Sequence, residues 1–514
     1  MSGANQSQAL PPSRTVAVIG SGAMGAGIAQ VAAAAGYSVQ LFDTRAEAVV
    51  KAIADIGGMF DKLAGKGRMT AAEASAAKAR LRPASALSEL AQAGLVVEAI
   101  VENLDVKRKL FADLEAVVAD DCIFTSNTSS ISITSIGAAL RLPQRLVGMH
   151  FFNPVPLMAL VEIISGLASD AAVAGCVYDT ALAWGKNPVH TKSTPGFIVN
   201  RVARPYYAEA LRILNEQAAE PATIDAILRE AGGFRMGPFE LMDLIGHDVN
   251  FAVTQSVFHA YFTDPRFTPS LIQQELVNAG FLGRKSGRGF YRYGDAAAMP
   301  EPATEAAAAR PAAVVQLHGT GALAEALAAR LGGVSVERST APGVDNLVLQ
   351  CGSAKTYLTD GRSATQRAAD NGHADTVLID LALDFNKATR VAVTRADQCS
   401  DAAYAAIVAL LQAAGFAVSR LDDVPGMAVM RTVAMLANEA ADAVNQGVCS
   451  AADADMAMQK GVNYPRGPLA WADAIGLDTV AGVLSHLAAA YGEDRYRVSP
   501  LIMRKTASKG KFHA

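Results

Sequence analysis

Charge is scarce in this chain of 514 residues: Asp, Glu, Lys and Arg make up 18% of it and leave a formal net charge of -4. So balanced a protein has no overall basic field for nucleic acid or an anionic membrane, and an anionic ligand needs a local basic site. Cysteine is scarcer still. Cys122, Cys176, Cys351, Cys399 and Cys449 form no C-x-x-C pair and have no histidine at metal-ligand spacing. That spacing speaks against structural zinc and for a reducing compartment. Met1 to Ser13 is polar, without the basic start and apolar core of a secretion signal. The expectation is a cytoplasmic enzyme with no metal and no nucleic-acid or membrane partner. Thr15 to Phe42 runs 28 residues without a charge, long enough to span a bilayer. Yet it holds Gly20, Gly22, Gly25, Gly27 and Gly36 together with Gln30, Ser38 and Gln40, and its apolar period changes part way. That punctuation argues against a continuous span.

What is there instead is strand, turn, helix and strand. Val16 to Ile19 is β-branched, Met24 to Ala35 is Ala-rich, Gly36 stands where helices stop, and Val39 to Phe42 is a second short strand. The alternation continues through "LVVEAIV", "CIFTSN", "RLVGMHFFN" and "LVEII", which predicts a mostly parallel sheet wrapped by helices. The fold class expected is α/β: a Rossmann-type domain over 14–192, an all-helical domain over 193–293, an Ala/Pro-rich linker over 294–311, and a degenerate second copy of both over 312–421 and 422–514. The copy shows most clearly where "TPGFIVNRVARPYYAEALRILNE" aligns with "VPGMAVMRTVAMLANEAADAVNQ" at a constant offset of 230 residues. That offset carries Arg201 onto Arg431, Glu209 onto Glu439 and Asp243 onto Asp473, a match too long for chance. A second glycine turn, Gly319 and Gly321, has Ala324 in place of the third glycine, and Asn200 meets Met430. The second half therefore reads as a structural copy without a complete catalytic set.

Gly20-Ser21-Gly22-Ala23-Met24-Gly25 is a G-x-G-x-x-G between strand and helix. The first glycine permits the turn, the second lets the backbone approach a pyrophosphate, and the third allows close helix packing. Asp43 ends the second strand, where a carboxylate can bond a ribose 2′-OH and repel a 2′-phosphate. NAD is expected over NADP, although Arg45 nearby is able to neutralise such a phosphate. His150 lies in a strand-ending "GMHFFNPVP", facing the crevice where such sheets bind ligands, and an imidazole can take a hydroxyl proton at neutral pH. A hydrogen-bonded core histidine is the plainer alternative. Glu162 interrupts an apolar strand and needs a partner, either a Lys or Arg or the imidazole of His150. "SNTSS", Asn127 to Ser130, offers hydroxyls and amides at another strand end, or simply caps a loop.

With "VAVIGSGAMGAGIAQ", "VVEAIVENLDVK", "FTSNTSSISIT", "GMHFFNPVPLMALVEII", "TPGFIVNR", "GPFELMDLIG" and "GRKSGRGFY", the stretch Arg14 to Tyr293 resembles the NAD-dependent (S)-3-hydroxyacyl-CoA dehydrogenases. The resemblance implies oxidation of a C3 hydroxyl to a ketone with hydride transfer to nicotinamide. It implies His150 as general base, Glu162 as its orienting partner, and Ser129 and Asn200 as holders of the reacting oxygen. Cofactor contacts follow at Gly20, Gly22, Met24, Gly25, Asp43, Glu102, Lys107, Asn153 and Lys285. Lys66, with Lys62 and Arg68 beside it, is implied at the CoA phosphates. The extra half resembles the longer bacterial type that includes the 3-hydroxyadipyl-CoA dehydrogenases of phenylacetate catabolism. That implies an adipyl thioester as substrate, with 3-hydroxybutyryl-CoA or a general β-oxidation substrate as the alternative. It also implies a monomer whose helical copies pack together, or else a homo-oligomer. A lens-type structural relative would be expected to lose part of the Ser129, His150, Glu162 and Asn200 set, and a different hydroxyacid dehydrogenase need not carry "HFFNPVP".

Overall fold

The computed structural model describes residues 8–294, 298–307 and 314–513. They form two compact units, one from the described residues within 8–201 and 446–462 and one from those within 202–445 and 463–513. Among the described residues no single helix is long and apolar enough to cross a membrane.

The first unit is built on eight strands: β1 (Thr15–Ile19), β2 (Val39–Phe42), β3 (Leu81–Ala84), β4 (Ala93–Glu98), β5 (Ile123–Ser126), β6 (Leu146–Phe151), β7 (Leu160–Ser165) and β8 (Asn187–Lys192). Their order in the sheet is β3-β2-β1-β4-β5-β6-β7-β8. Every neighbouring pair is parallel except β6 and β7. Helices cover the sheet, so its central strands are apolar on both faces, as β4 shows by being buried at every position. The glycine-rich segment is no span: its helix is Ala23–Ala34, and Gly36 turns the chain at φ +101°.

Residues 446–462 belong to this unit although they lie in the second half of the sequence. Their helix, Ala451–Gly461, packs on β7 and β8. Lys192 donates its N–H to Val448 O at 2.9 Å, and Arg201 Nη1 donates to Gln446 Oε1 at 2.9 Å. A Cβ on Gly461 would stand 2.5 Å from the Leu160 side chain and 3.1 Å from that of Val199, so a larger residue there obliges those side chains to shift.

The second unit holds a seven-stranded sheet: β9 (Val315–His318), β10 (Val336–Ser339), β11 (Leu349–Cys351), β12 (Ala354–Leu358), β13 (Thr376–Ile379), β14 (Arg390–Arg395) and β15 (Ala417–Arg420), in the order β10-β9-β11-β12-β13-β14-β15. Here β11 runs antiparallel to both β9 and β12. The strand beside the glycine turn thus runs opposite to its counterpart β4, and the crevice between diverging parallel connections is missing. This unit repeats the contacts of the first at the 230-residue offset. Asp422 donates its N–H to Ala218 O at 2.9 Å, and Arg431 Nη1 bonds Glu216 at 3.2 Å.

Both helical segments meet inside the second unit. Arg431, fully buried, bonds Glu209 at 2.7 Å and the hydroxyls of Tyr491 and Tyr496 at 2.8 Å each. Arg266 bonds Glu439 at 3.1 Å and also Asp442. The stretch expected as a linker lies partly outside the described residues, at 295–297 and 308–311. Its described part is held rather than loose: Ala303 N–H bonds Thr223 Oγ1 at 2.9 Å and Glu305 N–H bonds Val418 O at 2.7 Å. Ala/Pro composition reads as a tether, but backbone groups beside a sheet edge find partners regardless of side chain.

Candidate active site

The carboxyl ends of β1, β4, β5 and β6 lie side by side along one sheet edge, and the candidate residues sit there. At the end of β1 the glycine turn is sterically obligatory. A Cβ on Gly20, which has φ +104°, would fall 2.4 Å from Ala99 O, and one on Gly25 would fall 1.9 Å from Gly20 O. Gly22 faces open space, so the backbone there is free to be approached. Met24 follows, half-buried, in the first turn of the helix.

Asp43 accepts from Ser21 N–H at 2.9 Å, Ser21 Oγ at 2.8 Å and Arg45 N–H at 3.1 Å. Burial works against its charge most strongly, but the Ser21 and Arg45 donors together hold the carboxyl below its usual range. Arg45 is itself largely exposed and stands 3.8 Å away. A pyrophosphate cradle beside an ionised acid fits NAD.

At the end of β4, Glu98 and Lys107 form a fully buried pair at 2.6 Å, and Ser126 Oγ donates to the other Glu98 oxygen at 2.5 Å. Sequence reasoning missed Glu98, whose signal was a carboxylate inside the apolar "LVVEAIV". Lys107 also stands 3.3 Å from Glu102. Glu102 Oε1 accepts from Thr128 Oγ1 at 2.7 Å, from the Ser129 and Ser130 N–H groups at 3.0 Å each, and from Ser130 Oγ at 2.9 Å. Burial pushes the Glu102 pKa up most strongly, yet Thr128, Lys107, Ser130 and Ser129 leave it lowered overall. Glu102 therefore clamps the loop that carries Ser129, and Lys107 holds Glu102. Asn127 Oδ1 accepts from Phe151 N–H at 2.8 Å, tying that loop to β6.

The antiparallel β6 and β7 pair sets His150 directly opposite Glu162. Directly opposed side chains share a face, and His150 Nδ1 lies 2.7 Å from Glu162 Oε2. Both groups are buried. Glu162 Oε1 accepts two backbone N–H groups, Ile198 at 2.9 Å and Val199 at 3.0 Å. Gly196 and Phe197, at φ +73° and +47°, turn the chain so that those N–H groups reach the carboxylate. With two donors on one oxygen, Glu162 is an acceptor, so Nδ1 carries the proton and Nε2 presents its lone pair. The rings of Phe152 and Phe197 pack at 4.6 and 5.9 Å from the imidazole. Asn200 lies in the short helix Val199–Val202, next to the donors that hold Glu162. Asn153 is exposed just beyond β6, and Lys66, Lys62 and Arg68 are exposed at the end of the helix Ala46–Gly65. Lys285 belongs to the second unit, where it pairs with Asp248 at 2.5 Å.

At the repeat offset His150 corresponds to Asp380 and Glu162 to Ala392. Asp380 is buried and accepts the N–H groups of Ala428, Val429 and Met430 at 2.9, 2.7 and 3.0 Å. One aspartate does for the helix start what Glu162 does in the first copy, and no imidazole is left. Burial pushes Asp380 up to about 6 against those donors.

The fold and the glycine turn after β1 are those of a dinucleotide-dependent dehydrogenase. Residues 15–194 match the 3-hydroxyacyl-CoA dehydrogenase NAD binding domain, and 196–293 and 426–513 match the C-terminal domain of the same family. Residues 356–425 match a 3-hydroxybutyryl-CoA dehydrogenase reduced Rossmann-fold domain. The 3-hydroxyadipyl-CoA dehydrogenase of Escherichia coli (strain K12) is 44% identical over 98% of this chain and 99% of its own. The human mitochondrial hydroxyacyl-coenzyme A dehydrogenase is 41% identical over 54% of this chain and 90% of its own. The crystal structure of a 3-hydroxybutyryl-CoA dehydrogenase from Escherichia coli K12 superposes with TM-score 0.87 at 43% identity, covering 96% of this chain and 98% of that one. The chain belongs to the 3-hydroxyacyl-CoA dehydrogenase family, in its long two-copy form, and is an NAD-dependent enzyme.

Proposed function

We propose that the chain oxidises the C3 hydroxyl of (S)-3-hydroxyadipyl-CoA in phenylacetate breakdown, as a cytoplasmic monomer whose two helical copies pack together. The observation that carries the chemistry is the buried His150 and Glu162 pair at 2.7 Å, with the second Glu162 oxygen already bonded to backbone. His150 Nε2 takes the hydroxyl proton, and Glu162 holds the Nδ1–H and stabilises the imidazolium. Ser129 and Asn200 hold the reacting oxygen. Bound NAD supplies the hydride acceptor. Gly20, Gly22, Met24 and Gly25 cradle its phosphates and Asp43 its ribose, while Glu102 and Asn153 complete the surroundings and Lys107 acts through Glu102. Lys66, flanked by Lys62 and Arg68, receives the CoA phosphates.

The adipyl assignment rests on the two-copy architecture and on similarity to an enzyme named for that substrate. The similar structure named for a butyryl substrate supports 3-hydroxybutyryl-CoA as the second reading. The test is NADH formation at saturating NAD with both thioesters side by side. Higher kcat/KM for the adipyl thioester is expected; preference for butyryl transfers the assignment, and no turnover of either removes His150 and Glu162 from their roles.

A further inference from the structure

Inside the second unit a cavity of ≈ 340 Å³ opens between the helix Arg204–Asn215, the Arg266–Leu271 segment and the Tyr491–Arg495 segment. Its volume is at the small end of ligand pockets, ~300–1,000 Å³. Its wall is unusual in charge. Arg204 is 5% exposed, yet Nη1 donates only to the neutral Thr254 Oγ1, at 3.0 Å, and Nε has no partner among the described residues. Its guanidinium lies 4.9 Å from the Tyr207 ring. Burial pulls its pKa down, and the groups acting against that are the phenols of Tyr207 and Tyr464, which are neutral at pH 7.

The carboxylates lining the cavity are already engaged. Glu216 bonds Arg431 and Tyr491, and Glu493 bonds Arg495 Nε at 2.5 Å. Arg495, also buried, keeps Nη1 without a partner, and Arg266 keeps Nε without one. An uncompensated guanidinium in a buried wall is costly, so it persists where something receives it. The fold itself does not ask for it. At the repeat offset Arg204 corresponds to Ala434, a buried residue that its own copy of the helix packs without any charge.

We propose that this cavity binds a small organic anion, its carboxylate or phosphate oxygens received by Arg204 and Arg495 and its carbon body by Leu211 and Phe267. The volume is too small for a whole dinucleotide or acyl-CoA, which limits the ligand to a smaller anion. The test uses the full chain in thermal unfolding, at constant ionic strength, with millimolar succinate, citrate, glycerol phosphate or inorganic phosphate against chloride. At least one probe is expected to raise the wild-type midpoint by about 2 °C or more over chloride. Response to the carboxylates or to the phosphates tells which group the site takes. Arg204→Leu is expected to lose that response while its ligand-free midpoint stays level or rises, because an unpaired buried charge has gone; a merely structural arginine would give a fall. No probe exceeding chloride in the wild type, or an undiminished response in Arg204→Leu, would overturn the proposal. Should Arg204→Leu not fold, Arg495→Gln decides: a weakened response supports the site, and a full wild-type response rejects it.

Discussion

His150 and Glu162 are two readable residues in two apolar strands, and each was visible in the sequence because its type conflicts with its surroundings. His150→Asn removes the proposed base without altering the sheet, so kcat should fall by about 10²–10⁴-fold, with NAD affinity, read by fluorescence quenching, unchanged. A drop in NAD binding of the same size would instead mean a collapsed site. Glu102 makes a prediction in pH. Its folded pKa is held below the ordinary carboxylate value by Thr128, Lys107 and the 129–130 donors after burial is overcome. A depressed pKa contributes stability that is present above the unfolded-state value and is lost as pH falls through the folded one. The difference in thermal midpoint between wild type and Glu102→Gln should therefore be largest near neutrality and shrink as the pH is taken below ~4.3. A constant difference across that range would show that the carboxylate charge is not what clamps the Ser129 loop. The roles of Glu102 and Lys107 in holding this loop were not legible, because hydrogen bonds spanning 26 to 28 residues leave no local pattern.

Elements are where the two copies part. The glycine turn after β1 requires glycine at its third position, since a Cβ on Gly25 would meet Gly20 O at 1.9 Å; the second copy carries Ala324 there. Gly25→Ala should accordingly raise KM for NAD by about tenfold or more by pushing the helix start off the cradle; an unchanged KM would mean the turn relaxes freely. The helix Ala451–Gly461 offers a second test. Gly461→Leu drives a side chain into Leu160 and Val199, two residues that flank the Glu162 arrangement. Overpacking of this kind costs about 1–3 kcal/mol, and the midpoint should fall together with kcat, because Val199 N–H is one of the two donors to Glu162. Loss of stability with kcat intact would separate that helix from the site. Strand periodicity and helix positions were readable in most of this region, but the direction of β7 was not: an isolated "LVEII" reads the same whether it pairs parallel or antiparallel.

For the molecule as a whole, the recurrence of the Lys192 to Val448 bond as the Asp422 to Ala218 bond means each sheet is completed by a helical segment from the other half of the sequence. A fragment ending at residue 293 lacks 446–462 and bares the faces of β7 and β8. It should be recovered folded only as an oligomer, in which residues 216–232 of a second copy take the place of 446–462; light scattering on the fragment checks this. A folded, active monomer would show the second half to be dispensable. The amino-acid sequence by itself marked the glycine turn after β1, the acid after β2, the duplication, and the histidine and glutamate set in apolar strands, because glycine requirements, hydrophobic period and misplaced polar residues are local marks. Only the tertiary structure decided that Glu162 stands opposite His150, that Glu102 holds the Ser129 loop, and that a second-half helix completes the first sheet. Those depend on strand direction and on which apolar faces bury each other, and long-range burial is non-directional: it rewards the area removed from water without writing the partner's position into either segment.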